Sequence, residues 1–120
     1  MAVLIWNIEF YPSPGENYSP EDYINNLSST PQEVASIKHR LSAMRELNIQ
    51  DWPRTWVKNF TYHKIKIYQL TASENHRLYF GIDGKTIVVC YMCKKVRQRA
   101  LPKDLKRAAA IFAEYFNEKG

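Results

Sequence analysis

The stretch that decides the fold reads HRLYFGI (residues 76–82), Asp83-Gly84 and KTIVVCYM (residues 85–92). Two runs of branched and aromatic residues flank an Asp-Gly pair. This pattern predicts a β-hairpin, because a type I′ turn needs positive φ at both central residues. With the turn at Asp83-Gly84, Phe80 faces Ile87 across the hairpin. Because side chains alternate across a sheet, the core face is predicted to carry Leu78, Phe80, Ile87 and Val89.

The second face of this hairpin is predicted to be polar. Its members are Arg77, Tyr79, Cys90, Met92 and Lys94. Gln69 and Thr71 of the preceding strand are expected opposite Tyr79 and Arg77. An aromatic ring among cations is typical of a platform for single-stranded nucleic acid, and equally typical of a solvent-exposed strand surface. The apolar Val88 and Met92 on this face indicate that the last helix covers part of it, or that a β-bulge intervenes.

The rest of the chain predicts a small α+β fold, with a single domain spanning residues 1–120. Ser19-Pro20 and Thr30-Pro31 each combine a hydroxyl cap with Pro at the first helical position, which predicts two helix starts and a helical hairpin. The expected order is an N-terminal strand over 2–10, helices over 20–27 and from 31, an irregular segment over 48–59, a three-stranded antiparallel meander over 60–72, 76–82 and 85–92, and a C-terminal helix over 102–116. Trp52 and Trp56 are expected to pack the helices onto the sheet.

The net charge of +5 is unevenly distributed. Residues 1–60 carry five Lys or Arg and seven Asp or Glu, a net −2, whereas residues 61–120 carry 12 and 5, a net +7. Seven cations and one acid fall between Lys94 and Arg107. Such a cluster indicates nucleic-acid binding, with a solvated face or a surface for an acidic protein as the alternatives. No apolar run approaches the roughly 20 residues of a membrane helix and no signal peptide is evident, so a cytoplasmic location is expected.

Other signals of chemistry are weak. Cys90 and Cys93 form a CxxC pair without a second pair for zinc, and in an extended strand the two thiols would point to opposite faces. They are therefore interpreted as buried or half-buried thiols. His76 has the chemistry of an acid or base, although a surface histidine is expected there. Because no phosphate loop, nucleophile elbow or metal motif is present, no metal, cofactor or small-molecule ligand is expected.

The order of elements and several short motifs resemble the RelE/ParE toxin superfamily, and its HigB-like, phage-related branch in particular. Residues 67–71 (IYQLT) stand where that family has its "ELR" strand, and residues 77–80 (RLYF) where it has "YRxxY". Ile87-Val88-Val89 followed by Lys94-Lys95 matches its hydrophobic strand and lysine pair. Pro102 to Leu105, with Ala108, matches the start of its last helix. The similarity spans most of the chain.

The resemblance implies a bacterial type II toxin that cleaves mRNA on the ribosome and is neutralised by a cognate antitoxin protein. Such a toxin is a metal-independent endoribonuclease, or mRNA interferase. Its catalytic residues would be Arg77 and Lys94, which stabilise the phosphate and transition-state charge, and Tyr79, which stacks or transfers a proton. Its RNA-binding residues would be Lys95, Arg97, Arg99 and Lys103.

Two alternatives stay open. Thr71 stands where the family has a catalytic arginine, which favours a ParE-like toxin that inhibits DNA gyrase by binding and has no nuclease activity. The other alternative is a non-catalytic RNA- or protein-binding module on the same fold. Translation arrest with mRNA cleavage would favour the nuclease, and DNA damage signalling with intact mRNA would favour the gyrase inhibitor.

Overall fold

The computed structural model describes residues 4–27, 31–72, 75–95 and 102–119. Its elements in chain order are β1 (Asn7–Phe10), α1 (Pro20–Asn25), α2 (Pro31–Arg45), β2 (Val57–Tyr62), β3 (Ile65–Thr71), β4 (His76–Asp83), β5 (Thr86–Lys94) and α3 (Pro102–Lys119), with a short 3-10 turn at Ile49–Asp51 before β2. The predicted α+β class is confirmed, and all three helices begin at the predicted prolines. Among the described residues, no helix combines the length and apolar character needed to cross a membrane.

The five strands form one mixed sheet in the order β1-β5-β4-β3-β2. β1 runs parallel to β5, and the other neighbouring strands are antiparallel. The predicted three-stranded meander is wrong, because the segment over 60–72 contains a hairpin and not one strand. β2 also begins at Val57, within the segment predicted to be irregular. The meander therefore has four strands.

The unpredicted hairpin turns at His63-Lys64. Both residues have positive φ, 48° and 69°. Two-residue hairpin turns with this backbone usually contain Asn-Gly or Asp-Gly, because most side chains disfavour positive φ. The local sequence therefore does not predict this turn.

The β4–β5 hairpin forms, but its turn lies one residue later than predicted. Gly84 and Lys85 occupy the turn, and Gly84 takes a φ of 59°, which a residue without a Cβ tolerates. Ile82 consequently pairs with Ile87 and not with Lys85. The predicted pairing of Gln69 with Tyr79 and of Thr71 with Arg77 is confirmed.

A β-bulge then shifts the register between Tyr79 and Phe80, leaving Cys90 of β5 as the extra residue. Because side chains alternate along a strand, one extra residue changes the face of everything beyond it. Lys94 pairs with His76, not with a residue of the Arg77 and Tyr79 face. The prediction that Lys94 shares a face with Arg77 and Tyr79 is therefore wrong.

Both faces of the sheet are buried. Helices α1 and α2 cover one face, where the core contains the predicted set Leu78, Phe80, Ile87 and Val89. Helix α3 covers the other face, where Tyr79, Val88 and Cys90 pack against its apolar side. That second face is thus neither an open nucleic-acid platform nor a solvated surface. Both explanations for its apolar residues hold, since it carries a covering helix and a bulge.

Trp52 joins the helices to the sheet as predicted. Its side chain is buried, and its indole Nε1 donates to the backbone carbonyl of Met44 at 3.1 Å. Its ring meets the rings of Tyr68 and Phe80 edge-on, with centroids 5.8 and 5.6 Å apart. Trp56 is only partly buried, and the Arg40 guanidinium lies 4.9 Å from its ring centroid.

Gly81 lets α3 approach the sheet closely. A Cβ at this position would lie 2.2 to 2.5 Å from three ring carbons of Phe112. The missing side chain therefore makes room for a buried aromatic ring of the helix. Further along α3, the Tyr115 hydroxyl lies 3.1 Å from a carboxylate oxygen of Glu9 and 3.0 Å from one of Asp83. These contacts position the helix along the sheet.

Candidate active site

A polar pocket of about 470 Å³ lies where α1, α2 and the ends of β4 and β5 meet. It is lined by Asn26, Leu27, Glu33, Asn75, His76, Lys94 and Lys95. The pairing of His76 with Lys94 and a 2.7 Å hydrogen bond from the Lys95 backbone N–H to the Asn75 carbonyl hold the strand side of the pocket together. Glu33 in the first turn of α2 supplies the helix side.

His76 is held between two side chains from different helices. Its Nε2 lies 2.6 Å from Oε2 of Glu33, and its Nδ1 lies 2.7 Å from the hydroxyl of Tyr23. The Tyr23 ring also meets the imidazole edge-on, with centroids 5.6 Å apart. The His76 residue is 2% exposed, so it cannot exchange these partners for water without local opening. The prediction of a surface histidine is therefore wrong.

The partners of His76 indicate where its proton lies. A carboxylate only accepts hydrogen bonds, so Nε2 carries the hydrogen directed at Glu33. In the neutral imidazole Nδ1 then accepts from the Tyr23 hydroxyl. Burial, followed by the charges of Cys93 and Glu33, raises the pKa of Tyr23 to about 12. Tyr23 therefore remains a hydrogen-bond donor throughout the neutral range.

Glu33 faces the pocket with both carboxylate oxygens hydrogen-bonded. Its Oε1 accepts a 2.6 Å hydrogen bond from Nδ2 of Asn75, while Oε2 receives His76. The Glu33 side chain is 20% exposed against 3% for His76, so the carboxylate is the more accessible member of the pair. A carboxylate oriented by a histidine and open to a pocket has the position of a general base.

Two lysines add positive charge to the same pocket. Lys94 is exposed and Lys95 partly exposed, so both ammonium groups can reach a ligand. An ammonium close to a reacting phosphate stabilises the negative charge that develops there. A base, a proton relay and two cations around one pocket are the groups needed to activate a hydroxyl against a phosphodiester.

The other two predicted catalytic residues lie on the opposite face of the sheet. Arg77 is 3% exposed and Tyr79 is fully buried beneath α3. Burial, followed by the charges of Cys93 and Asp104, raises the pKa of the Tyr79 hydroxyl, and the nearby Arg77 guanidinium opposes that rise. In this conformation neither side chain is open to a substrate. Their catalytic roles stay predictions.

The predicted RNA-binding residues fall in different places. Lys95 lies in the pocket with Lys94, whereas Lys103 lies on the exposed side of the first turn of α3. Arg97 and Arg99 lie outside the described residues. The structure thus brings one predicted catalytic cation and one predicted RNA-binding cation into a single pocket.

The cysteines are a buried and a half-buried thiol, as predicted, but both point to the α3 face. The bulge at Cys90 is the reason, since it cancels the alternation expected between the two positions. Cys90 is enclosed, and burial raises its pKa. Burial and the Asp104 carboxylate, whose Oδ2 lies 3.8 Å from the sulfur, raise the pKa of Cys93 to about 12.

Sequence reasoning missed Glu33 and Tyr23 as site residues. They stand 43 and 53 positions away from His76, so no local spacing links the three. An acid in the first turn of a helix is ordinarily explained by the helix dipole. Only the packing of α1 and α2 against the start of β4 reveals the cluster.

No protein-family model and no curated protein sequence matches this chain. Within its described residues, no group of three His, Cys, Asp or Glu side chains is placed to hold a metal ion.

Proposed function

We propose that this protein is a type II toxin of the RelE/ParE kind that cleaves mRNA on the ribosome. The sequence resemblance over β3, β4, β5 and the start of α3 supports the proposal, as does the excess of cations in the second half of the chain. The observation that carries it is the hydrogen-bonded chain Tyr23–His76–Glu33, whose last two members line a pocket together with Lys94 and Lys95. A cognate antitoxin and a cytoplasmic site of action belong to the same proposal.

The proposed reaction needs only these side chains. Glu33 takes the proton from a ribose 2′-hydroxyl, and the 2′-oxygen then attacks the adjacent phosphorus. A 2′-O–P bond forms, the P–O5′ bond breaks, and the leaving 5′-oxygen takes up a proton from a lysine ammonium at the pocket wall. Lys94 and Lys95 stabilise the charge on the phosphate. His76, fixed by Tyr23, orients the Glu33 carboxylate and shares its proton.

Conservative substitutions in the pocket test this reaction. Glu33→Gln keeps the size of the side chain but removes the base, so the cleavage rate should fall by about 100-fold or more, the usual contribution of a general base. His76→Gln should lower the rate as well, since it removes the group that orients Glu33. The rates are measured on a reporter mRNA in a purified translation system.

Matched controls separate catalysis from general damage. His39 is an exposed histidine of α2 and Lys58 an exposed lysine of β2, so His39→Gln and Lys58→Ala should leave the cleavage rate unchanged. Circular dichroism and urea unfolding show which variants are folded. If folded Glu33→Gln and His76→Gln proteins both cleave at the normal rate, the pocket is not the catalytic site.

A gyrase-inhibiting toxin without nuclease activity is the second candidate. The burial of Arg77 and Tyr79 beneath α3 favours it, because the residues that match the family's catalytic strand are closed to RNA. This candidate expects intact mRNA together with inhibition of DNA supercoiling by purified gyrase. Unimpaired supercoiling at a large excess of the protein would eliminate it.

A further inference from the structure

A second cationic surface lies on the far side of the sheet from the proposed active site. Its pocket, of about 660 Å³, lies between the loop before α1 and the outer face of α3. We call this region the α3 surface and define it by Tyr18, Lys103, Lys106 and Arg107. The three cations follow one another at intervals of three and one along the helix, so they share one face. Glu114 lies at the other end of the same pocket.

The cations of the α3 surface are not neutralised by the one acid in their stretch of helix. Lys103, Lys106 and Arg107 are all exposed. Asp104 is 7% exposed and turns inward, where its Oδ1 lies 3.5 Å from the Tyr91 hydroxyl and its Oδ2 lies near Cys93. The outward face of this part of α3 is therefore positive, which suits a polyanion.

Tyr18 presents an aromatic ring beside these cations at a conformational cost. Its φ is 67°, a left-handed conformation that is unusual for a bulky residue. The residue is nonetheless 50% exposed, so burial of the ring does not account for the strained backbone. Such outliers persist where the surrounding structure enforces them, and they are enriched at functional sites.

Arg107 and Tyr91 hold the ring in place. The Arg107 guanidinium lies 4.3 Å from the Tyr18 ring centroid, and the Tyr91 ring meets it edge-on at 5.9 Å. Cation–π contact restricts both side chains while leaving polar edges and ring surface open to a ligand. An oriented tyrosine and a guanidinium plane are the groups on which unpaired bases stack.

We propose that the α3 surface binds single-stranded RNA, with a base stacked on the Tyr18–Arg107 pair and phosphates on Lys103 and Lys106. The exposed, oriented ring favours RNA over an acidic peptide, which would need only the charges. This inference deepens the proposed function, because it adds a contact for the RNA substrate outside the cleavage pocket. Its test requires neither ribosomes nor cleavage, so either proposal can fail while the other stands.

The test is fluorescence anisotropy with a fluorescein-labelled, 2′-O-methylated oligouridine, which lacks the 2′-hydroxyl needed for cleavage. Tyr18→Asn removes the ring and suits the left-handed backbone, so it should weaken binding by about tenfold, within the range found for stacked bases. Tyr18→Phe keeps the ring and should bind as the original protein does. Lys106→Ala should lower the slope of log affinity against log salt by about 0.7, the value for one phosphate of a single strand.

Two controls make the result specific to this surface. Lys58→Ala removes one positive charge from β2 and should leave both affinity and salt slope unchanged. His39→Gln should also bind the oligonucleotide normally, since His39 is exposed on α2 and lines neither pocket. Equal binding by the Tyr18→Asn and Tyr18→Phe proteins would overturn the inference. Poly-glutamate that binds more tightly than the oligonucleotide, and equally to the Tyr18→Asn protein, would also overturn it. That result would assign the surface to an acidic protein.

Discussion

Replacing Gly81 with Ala should dislodge Phe112 and destabilise the protein. The added Cβ would lie 2.2 Å from the nearest ring carbon, whereas ordinary contact is 3.4 Å or more, so the ring must retreat by about 1.2 Å. Phe112 is 4% exposed and lies among other rings of α3, with Phe116 at a centroid distance of 4.7 Å. The ring also borders a cavity of about 340 Å³, so it must either turn towards that space or move together with the helix.

The expected cost lies between two limits. Overpacking a core by one methyl group typically costs about 1–3 kcal/mol, and losing a buried Phe side chain altogether costs about 3–5 kcal/mol. We expect a loss of about 2–3 kcal/mol in the free energy of unfolding. Urea unfolding followed by tryptophan fluorescence measures it as a lower midpoint at unchanged slope.

A double-mutant cycle assigns the loss to the clash. Phe112→Leu shortens the opposing side chain, so the Gly81→Ala/Phe112→Leu pair should lose at least about 1 kcal/mol less than the sum of the single variants. Gly84→Ala is the matched control, because its Cβ would touch nothing within 4 Å and its cost comes only from the positive φ. Phe112→Leu should not relieve that cost. A Gly81→Ala protein of normal stability, or a cycle without coupling, would refute the packing of α3 described above.

Two further predictions concern ionisable groups. The pKa of Tyr23 rises from 10.0 to about 12 on folding, so the neutral hydroxyl contributes fully to the stability of the folded protein below pH 10. This contribution is lost as the pH rises towards 12. Tyr23→Phe should therefore lose less stability than the original protein between about pH 9 and about pH 11 in urea unfolding, and equal losses would contradict this. Asp104→Asn should speed the alkylation of Cys93 by iodoacetamide in mildly alkaline solution, because the removed carboxylate helps to raise the thiol pKa. In an Asp104→Asn/Cys93→Ser protein the remaining thiol, Cys90, should stay unreactive, and an unchanged rate for Cys93 would show that Asp104 does not act on it.

The features that were predicted from the sequence depend on neighbouring residues. The Ser-Pro and Thr-Pro pairs predicted the starts of α1 and α2, since caps and proline act within one helical turn. The alternation around Phe80 and Ile87 predicted the core face, because it requires only that the two runs pair. The turn lies one residue later than predicted, which shifts the pairing register by two residues. Because side chains alternate with a period of two, the same residues remain on the core face.

What was missed depends on the whole fold. The His63-Lys64 turn uses residues that carry no turn signal, and the pairing of β2 with β3 on either side of it fixes its position. The bulge at Cys90 changes which face Lys94 occupies, and this separated it from Arg77 and Tyr79. The burial of His76 results from contacts with two helices distant in sequence, which local patterns do not encode.

Primer extension on a reporter mRNA, with and without ribosomes, tests the central claim most directly. We expect cuts only when ribosomes are present, at codon boundaries, with a 5′-hydroxyl on the downstream fragment because the 2′-oxygen is the nucleophile. Cutting should be about 100-fold slower or more with the Glu33→Gln protein and unchanged with the His39→Gln protein. Uncut mRNA and undisturbed translation at an excess of the folded protein would contradict the proposed nuclease.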